Sequence, residues 1–418
     1  MSKISPNRMR AIDYWAGVPL CFLLTVLTYP FRRRPGQHPT PRRVLFIELS
    51  EMGSTILADP AMRMAARLWG AELHFLIFAG NAASLALLQT VPKDNVFTIR
   101  ETSLATVMVD TVRFLVWARQ RGIDTVFDLE LFSRYTALLT ALSGAATRIG
   151  FYRFHNEGLY RGELLTHRVA FNPHHHIAKN FIALVAAAAR PAGEVPYTKT
   201  QIGDDEIALP RVRVADEAAA AMKRRVAETA PAYDRERHRL VLINPNASDL
   251  LPQRRWPPAH FAKAMRAILD RWPDIVILIT GAPSDAVLAG KLKAAVDDPR
   301  VADFTGRTAL AELPALYVIS ALMVTNDSGP GHFAAITELP TIVLFGPETP
   351  RLYGPLGNAR ALTANLACSP CVSAANHRRT ACNDPKCMAA ISPEQVLAEV
   401  AAILDGPKPV ARLDLQGA

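Results

Sequence analysis

The sequence predicts an α/β protein in which two doubly wound domains face each other across a cleft, with a hydrophobic arm at the N-terminal end. Three observations predict this architecture. Short apolar runs alternate with longer helical stretches, this alternation occurs twice along the chain, and a basic and apolar segment precedes the first series. Half of the 418 residues are apolar and 20% are charged, which excludes a disordered chain.

The domain boundaries are expected where the alternation stops and resumes. It is interrupted by prolines and clustered charges, and these fill the stretch that begins near Pro191 and ends before Leu240. We therefore expect an arm, a first domain, an interdomain region, a second domain and a tail, over 1–43, 44–205, 206–238, 239–405 and 406–418.

The strands are expected to be parallel and buried, because apolar runs bounded by turns are typical of such sheets. The runs in the first domain are Val44–Ile47, Leu73–Phe78, Asn95–Ile99 and Thr125–Leu129, with helices over 56–69, 104–121 and 133–143. A helix over 214–229 and the runs Leu240–Ile243, Ile275–Ile279, Leu322–Val324 and Thr341–Phe345 follow. Ligands bind such sheets at the carboxyl ends of the strands, so candidate site residues are sought there.

The positive charge of the chain is concentrated in the arm. The net charge is +9, and residues 1–43 contribute Lys3, Arg8, Arg10, Arg32, Arg33, Arg34, Arg42 and Arg43 against the single acid Asp13. The body is therefore almost neutral. A nucleic-acid binder usually spreads basic residues over its folded domain, so no nucleic-acid partner is predicted.

Between its basic groups the arm contains the uncharged run Tyr14–Phe31. As a helix this run would be about 27 Å long, which is marginal for a hydrocarbon core of about 30 Å. Four interpretations of this run are possible: a cleaved signal peptide, a single membrane span, a monotopic anchor, and an arm packed on the body. The anchor is favoured, because aromatic residues at both ends and the following arginines suit the cytoplasmic interface of a membrane.

A candidate phosphate site follows the predicted strand Leu322–Val324. The run Thr325–His332 combines hydroxyls, two glycines and the start of a helix, which together offer donors to a phosphate. His332 can donate to a leaving diphosphate, whereas Asp327 would repel it and is expected to accept hydrogen bonds from the protein. The alternative is a tight turn in which Asp327 caps the helix.

A second candidate lies after the predicted strand Leu240–Ile243. Here Asn244–Ser248 leads into Arg254 and Arg255, whose guanidinium groups could bind a diphosphate. The alternative is a solvated basic loop. No GxGxxG, Walker A or GxSxG pattern stands where it would matter, which argues against a dinucleotide dehydrogenase, a P-loop NTPase and a typical α/β-hydrolase.

These runs, taken in order, resemble glycosyltransferase family 9, the ADP-heptose:lipopolysaccharide heptosyltransferases. The resemblance covers about residues 44 to 405, and it rests on the stretches Leu49–Ser54, Asp59–Ala61, Ser143–Phe151, Asn244–Pro257, Gly306–Leu310, Thr325–His332 and Leu344–Pro347. It implies a GT-B fold of two Rossmann-like domains and a metal-independent, inverting transfer of heptose from ADP-heptose to a lipid A–core acceptor. The first domain would hold the acceptor and the second the ADP-sugar.

The resemblance also implies a donor site. Asp327, Ser328, Gly329 and His332 match the run that contacts ADP in the family, and Arg255 matches its usual arginine. Arg254 stands where the family usually has a lysine near the diphosphate, which keeps the charge and changes the geometry. Asn246 and Ser248 complete the predicted donor-binding residues.

The catalytic base is where this sequence departs from the family pattern Ser-x-x-Gly-Asp, whose aspartate is the proposed base. Here the loop reads Ser50, Glu51, Met52, Gly53 and Ser54, and a serine is not a base near neutral pH. Glu51 is the nearest carboxylate and is predicted to replace the aspartate. There are three alternatives. The base is another acid such as Asp59 or Asp128, the reaction is lost or redirected, or Glu51 only caps the helix that follows.

Two further clusters are predicted to bind ligands. Cys368, Cys371, Cys382 and Cys387 have a spacing compatible with a structural zinc, the alternative being free thiols or a redox pair in a reducing compartment. His174–His176 follows Asn172 and Pro173, and one of these histidines is expected to contact a phosphorylated acceptor together with Lys179, unless the loop is simply solvated. The predicted acceptor-binding residues are Ser50, Gly53, Ser54 and His176.

The sequence thus predicts a glycosyltransferase on the cytoplasmic side of the inner membrane. Its expected partners are an ADP-sugar, a lipid-linked glycan acceptor and the inner leaflet. No cofactor is expected in catalysis, and the zinc would be structural. The alternatives are a transferase with another nucleotide-sugar donor and a catalytically silent sugar-nucleotide-binding protein, which the serine at position 54 motivates.

Overall fold

The computed structural model describes residues 6–31, 39–154, 159–189, 196–373 and 376–406. These residues form two parallel sheets of six strands each. The first sheet contains β1 (Arg43–Ile47), β2 (Glu72–Phe78), β3 (Val96–Ile99), β4 (Thr125–Asp128), β5 (Thr147–Phe151) and β6 (His167–Val169). The second contains β7 (Arg239–Asn244), β8 (Ile275–Ile279), β9 (Val301–Asp303), β10 (Leu322–Asn326), β11 (Thr341–Phe345) and β12 (Ala359–Thr363).

Helices cover both faces of each sheet, and two more form the arm. The arm contains α1 (Pro6–Trp15) and α2 (Gly17–Thr28). The first domain has α3 (Met52–Trp69), α4 (Ala82–Ala86), α5 (Leu104–Gln120), α6 (Arg134–Leu142) and α7 (Ile177–Ala188), and α8 (Asp216–Thr229) follows between the domains. The second domain has α9 (Pro258–Arg271), α10 (Ala286–Val296), α11 (Leu313–Val318), α12 (Gly329–Ala334), α13 (Pro350–Tyr353), α14 (Lys386–Ala389) and α15 (Pro393–Leu404).

The strand order confirms the predicted fold class. It is β3-β2-β1-β4-β5-β6 in the first sheet and β12-β11-β10-β7-β8-β9 in the second. In both sheets the order reverses at one point, between β1 and β4 and between β7 and β10. A doubly wound sheet opens a crevice at such a reversal, beyond the carboxyl ends of the two strands. The fold therefore places one crevice in each domain.

The predicted strands form because their side chains are apolar on both faces. Val44 to Ile47 of β1 are completely buried, as are Ile275 to Ile279 of β8. One apolar cluster is continuous between the domains and joins Phe46 of the first sheet to Leu242 of the second. This shared core holds the two crevices against each other. The three-residue strands β6 and β9 and the partly buried strand β12 were not predicted.

The arm is helical and packs on α6 of the first domain. The Asp13 carboxylate accepts hydrogen bonds from the backbone N–H groups of Arg134 and Tyr135, at 2.8 and 2.9 Å, and it also pairs with the Arg134 guanidinium at 3.1 Å. Asp13 thus caps the N-terminus of α6 from outside the helix. Glycine is required at position 17, because a Cβ there would lie 2.8 Å from the Cβ of Arg134.

The second half of the arm follows the same side of the domain. Cys21 is completely buried beside Ala137 and Leu164, and the Thr25 hydroxyl accepts a hydrogen bond from the Glu163 N–H at 2.9 Å. By length and composition, Arg8–Thr28 is also apolar enough to cross a membrane. The predicted flanking group Arg32–Arg34 lies outside the described residues, as does the tail beyond Gly406.

Candidate active site

The two crevices meet where α3 of the first domain touches α12 of the second. α3 begins directly after the loop that follows β1, and α12 begins directly after the loop that follows β10. Gly53, in the first turn of α3, lies against the His332 ring, so that a Cβ on Gly53 would be 2.6 Å from His332 Cδ2. The predicted base loop and the predicted donor loop are therefore in contact.

We expect the substitution Gly53→Ala to lower sugar transfer by about 10- to 100-fold, because displacing a reacting group by about 1 Å has effects of that size. The added methyl group must push away the His332 ring, which is only 7% exposed and has little room to move. Transfer kinetics and the melting temperature would be measured.

The matched control is Gly290→Ala in α10, where an added Cβ meets no atom within 4 Å. This variant is expected to keep full activity and to be slightly more stable, since alanine favours a helix over glycine. Equal activity in both variants would show that the contact between Gly53 and His332 is irrelevant to the reaction.

Glu51 lies at the N-cap position of α3 with an extended backbone, but its side chain makes no capping hydrogen bond. The carboxylate instead accepts a hydrogen bond from the Ser54 hydroxyl at 3.3 Å and pairs with the Arg378 guanidinium. Its side chain is 39% exposed, so it is open to the cleft. The alternative of a simple helix cap is therefore not supported by the side-chain contacts.

Arg378 links the two domains at this point. Its guanidinium pairs with Glu51 of the first domain, forms an ion pair with Glu348 of the second at 2.8 Å, and lies 4.8 Å from the ring centroid of Tyr353. His377 and Arg378 both have left-handed backbone conformations, with φ of 55° and 53°. Such conformations cost free energy in residues other than glycine and persist where the surroundings enforce them.

The environment keeps Glu51 ionised. Burial would raise the pKa of its carboxyl, but the positive charges of Arg378 and Arg254 outweigh burial and hold the pKa below its ordinary value. The nearby carboxyl of Glu48 shows the opposite behaviour. Burial and repulsion by Glu130 raise the pKa of Glu48 well above its ordinary range. Adjacent carboxyls with opposite shifts are typical of acid–base sites.

The pKa of Glu51 leads to a prediction for Arg378→Met. Removing the guanidinium raises the pKa of Glu51, so the carboxylate is protonated at higher pH and the acidic limb of the pH–rate profile should move upward. The loss of activity is then greatest at acidic pH and smallest at alkaline pH. The profile of kcat/KM against pH measures the shift.

Arg351→Met is a suitable control, because this arginine lies in α13 of the same domain and is exposed. Its profile should coincide with that of the wild type. A uniform loss of activity in Arg378→Met at every pH would mean that Arg378 acts on the fold or on binding and not on the titration of Glu51.

Other buried charges surround Glu51 in the first domain. The Glu130 carboxylate accepts hydrogen bonds from the Ser50 hydroxyl at 2.7 Å and from the backbone N–H groups of Leu49 and Ser50. Asp128 pairs with Arg161. Both carboxyls therefore have protein partners, and Ser50 is engaged with Glu130. Asp59, the other alternative base, is bound by Arg63 at 2.8 Å and by Thr90.

Arg254 and Asp327 face each other on the donor side of the cleft. An Nη of Arg254 lies 3.6 Å from an Oδ of Asp327, with the side chains 14% and 5% exposed. Burial raises the pKa of Asp327, and the charge of Arg254 offsets this only in part. Burial also lowers the pKa of His332 to about 4, so its imidazole is neutral near pH 7.

The donor side contains buried polar atoms that lack hydrogen-bond partners in the protein. They are Arg254 Nε, Asp327 Oδ2 and His332 Nδ1. Such atoms cost free energy unless a ligand or water satisfies them. Their concentration at one place indicates a site for a polar ligand, and the cation of Arg254 favours an anionic one.

The remaining predicted donor residues lie around this site, but several are engaged elsewhere. The Asn246 amide donates to the carbonyl of Thr280 at 3.2 Å, and the Ser328 hydroxyl donates to that of Asn326 at 3.1 Å. Ser248 is exposed and accepts a hydrogen bond from the Leu250 N–H. Gly329 is the first residue of α12, so this helix begins within the run Thr325–His332.

Arg255 points away from the ion pair formed by its neighbour. Its guanidinium donates to the carbonyl of Ala247 at 2.7 Å and pairs with Asp249, and its side chain is 40% exposed. The two adjacent arginines thus differ in environment. Arg254 is enclosed in the cleft, whereas Arg255 braces the loop after β7.

His176 has a role that the sequence did not predict. Its Nδ1 accepts a hydrogen bond from the Ala178 N–H at 3.2 Å, which leaves the proton on Nε2, and Nε2 lies 2.8 Å from the carbonyl oxygen of Gly354. Burial lowers the pKa of His176, in keeping with a neutral ring. Both nitrogens are used within the protein, where they join α7 to the second domain, so no ring nitrogen is free for an acceptor.

The four predicted zinc ligands are free thiols, and among the described residues no group of three or more His, Cys, Asp or Glu side chains is arranged to hold a metal ion. Cys387 is buried in the apolar cluster of the second domain, whereas Cys368 is exposed. Burial, and after it the charges of Cys371, Cys368 and Cys382, raise the pKa of the Cys387 thiol, so the four thiols lie within electrostatic range of one another and the structural zinc stays a prediction.

Three site residues escaped the sequence analysis. Glu48 and Glu348 could have been found, since each is a carboxylate shortly after an apolar strand, β1 and β11. Arg378 could not, because 327 positions separate it from Glu51.

Comparison with known proteins identifies the family of this chain. Residues 119–381 match the sequence profile of glycosyltransferase family 9 (heptosyltransferase). The chain belongs to glycosyltransferase family 9. Lipopolysaccharide heptosyltransferase 1 of Pseudomonas aeruginosa is 26% identical over 200 residues, 43% of this chain and 55% of that protein. Lipopolysaccharide heptosyltransferase 2 of Escherichia coli is 30% identical over 110 residues, 26% of this chain and 31% of that protein.

Solved structures show the same GT-B fold. ADP-heptose lps heptosyltransferase II of E. coli superposes with a TM-score of 0.66 at 19% identity, over 86% of this chain and 98% of that one. E. coli heptosyltransferase WaaC with ADP gives 0.59 at 16% identity, with the same coverage. In sequence, the chain spans only about half the length of the curated relatives it matches first.

Proposed function

We propose that this member of family 9 transfers a heptose from ADP-heptose to a lipopolysaccharide-core acceptor, or to a related surface glycan. The observation that carries the proposal is the cleft itself. An ionised carboxylate, Glu51, faces a buried cation, Arg254, across the junction of the two domains. A base on one side and a leaving-group site on the other are the two requirements of glycosyl transfer to a hydroxyl.

In the proposed mechanism Glu51 accepts the proton of the acceptor hydroxyl. The oxygen attacks the anomeric carbon while the bond from that carbon to the diphosphate breaks, so the configuration inverts and ADP leaves. Arg254 balances the negative charge that develops on the diphosphate, and neutral His332 donates a hydrogen bond. These groups supply the charge stabilisation without a metal.

The donor identity is proposed from the family membership and from the relatives, which are named heptosyltransferases. The acceptor is assigned to the first domain, near Ser50, Gly53 and Ser54, and the ADP-sugar to the second. Ser54 hydrogen-bonds Glu51, so in this chain it orients the carboxylate. A serine replaces the family aspartate, and a glutamate three residues earlier takes over its chemistry.

The test is to incubate the purified chain with ADP-heptose and a lipid A–core acceptor and to follow ADP release. Release that depends on the acceptor supports the proposal. Binding of ADP-heptose without release would identify a silent sugar-nucleotide-binding protein, the alternative that Ser54 motivates. If nucleoside diphosphate is released from a different nucleotide sugar and not from ADP-heptose, that nucleotide sugar is the donor.

We also propose that the arm holds the enzyme on the cytoplasmic face of the inner membrane. The support is its exposed apolar surface: Trp15 is 77% exposed, Phe22 60% and Leu27 59%. The other side of the arm is attached to the body through Asp13, Cys21 and Thr25. Because the body holds the arm along its length, a monotopic anchor fits these contacts better than a span that leaves the body.

A further inference from the structure

The helix α5 exposes an apolar stripe that the proposed transfer does not use. Its exposed side chains are Leu104 (42%), Met108 (64%), Val109 (54%), Val112 (60%) and Val116 (49%). At 100° per residue these positions span about 140° of the helix surface. Single exposed apolar residues are common, whereas a continuous stripe of five marks a surface that contacts something other than water.

The opposite side of α5 accounts for its fold. Phe114 and Ala118 are completely buried against Leu45 and Ile47 of β1. Asp110 is buried and forms an ion pair with Arg100 at 2.7 Å. The helix is therefore stably attached by one side, and the apolar residues of the other side contribute nothing to the domain core.

The stripe lies on the same side of the first domain as the arm. Leu139 of α6 and Phe114 of α5 belong to one apolar cluster, so both helices cover the same face of the first sheet. The arm packs on α6 through Cys21, and Met9 of α1 packs against the cluster that contains Phe114. The apolar surfaces of α5 and of the arm thus face outward from one side of the protein.

The charges beside the stripe identify the partner. Between Arg100 and Arg121 the chain has four arginines and two acids. One of the acids, Asp110, is buried and pairs with both Arg100 and Arg113, whose side chains are 51% and 66% exposed, so this group carries a net positive charge at the surface. An amphipathic helix with an apolar stripe and basic borders suits the interface of a membrane that contains anionic lipids.

We propose that α5 is a second membrane-binding element, which lies in the interface of an anionic bilayer beside the arm. The inference rests on the proposed function in one respect: a lipid-linked acceptor is the reason for the enzyme to bind the bilayer through this surface. Two parallel contacts fix the orientation of the first domain on the bilayer. Since α1 also brings Arg10 within electrostatic range of Arg378 and Glu51, the docked side borders the cleft, and an acceptor in the leaflet can reach the base.

The experiment is vesicle flotation of the full-length chain with phosphatidylethanolamine and phosphatidylglycerol. The variants are Met108→Glu with Val112→Glu, a deletion of residues 1–31, and the two combined. The matched control is Val287→Glu, which alters a valine that is similarly exposed, at 71%, but lies on α10 of the second domain, outside the stripe. Circular dichroism and the melting temperature establish that each variant is folded.

We expect the double substitution in α5 to lower the ratio of bound to free protein by about tenfold or more. Each glutamate places a charge where an apolar side chain would insert, and anionic lipid head groups repel it. Val287→Glu should bind as the wild type does, and the deletion combined with the α5 changes should bind least. Vesicles of phosphatidylcholine alone should bind the wild type more weakly.

Three outcomes would overturn the inference. A folded α5 variant that floats like the wild type would show that the arm alone binds the membrane. If the wild type binds phosphatidylcholine vesicles as well as it binds anionic vesicles, the arginines beside the stripe do not contribute to binding. If the wild type is a dimer that the α5 changes convert to a monomer, the stripe is a subunit interface. Flotation does not depend on sugar transfer. If the transfer assay fails but the protein still binds vesicles through α5, the proposed function is wrong and the membrane-binding role of α5 still holds.

Discussion

Replacing Glu51 by glutamine is expected to lower the rate of transfer by about 10²- to 10⁴-fold, the range that a positioned general base contributes. Glutamine keeps the size of the side chain and can still contact Arg378 and Ser54, but it cannot accept the acceptor proton. Donor binding should be unchanged within a factor of a few. Single-turnover transfer and calorimetric binding of ADP separate the two effects.

Glu48→Gln is the matched control for this experiment. Burial and repulsion by Glu130 raise the pKa of Glu48 well above its ordinary value, and glutamine resembles the protonated form that this shift favours. We expect activity close to that of the wild type. If Glu48→Gln is inactive and Glu51→Gln is active, the base is Glu48 and the assignment of Glu51 is wrong.

The second large effect is expected for Arg254→Met, which should lower kcat by about 10²- to 10³-fold, the usual effect of removing one group that stabilises developing charge. Arg254 is the buried cation on the donor side, and its loss leaves the Asp327 carboxyl without its ion-pair partner. The pKa of Asp327 should then rise further. Binding of ADP should also weaken, which equilibrium binding would measure.

Arg255→Met tests whether position in the cleft, and not charge alone, decides this effect. Arg255 has the same charge and is the next residue, but it is paired with Asp249 at the protein surface. We expect a loss of only a few fold. Equal losses in the two variants would mean that both guanidinium groups contact the donor, as the family resemblance implied.

The fold was predictable because its determinants are local. The strands β8 and β11 begin and end at the residues that the apolar runs indicated. An apolar run of this length has to be buried on both faces, and a parallel sheet covered by helices is the arrangement that does so. The missed strands β6 and β9 have only three residues each, whereas β12 has five but is only partly buried and lacks a continuous apolar run.

Parts of the site were predictable for the same reason. Glu51, Gly53, Arg254, Asp327 and His332 all lie in the segments that follow the carboxyl ends of β1, β7 or β10, and the topology of a doubly wound sheet brings such segments together. The spacing of cysteines and histidines was less informative. A pattern of ligand types does not reveal whether a helix turns one of them into the core, as α14 does with Cys387, or whether a backbone group already occupies it, as with His176.

The sequence by itself determined the two-domain fold, the concentration of positive charge in the arm and the loops to which we assign the chemistry. All of these depend on residues that are neighbours along the chain. Only the tertiary structure decided that Arg378 meets Glu51 and that the arm lies beside the exposed stripe of α5. These contacts join residues that are distant in sequence, and their energies depend on burial and on distances between charges, which no local pattern contains.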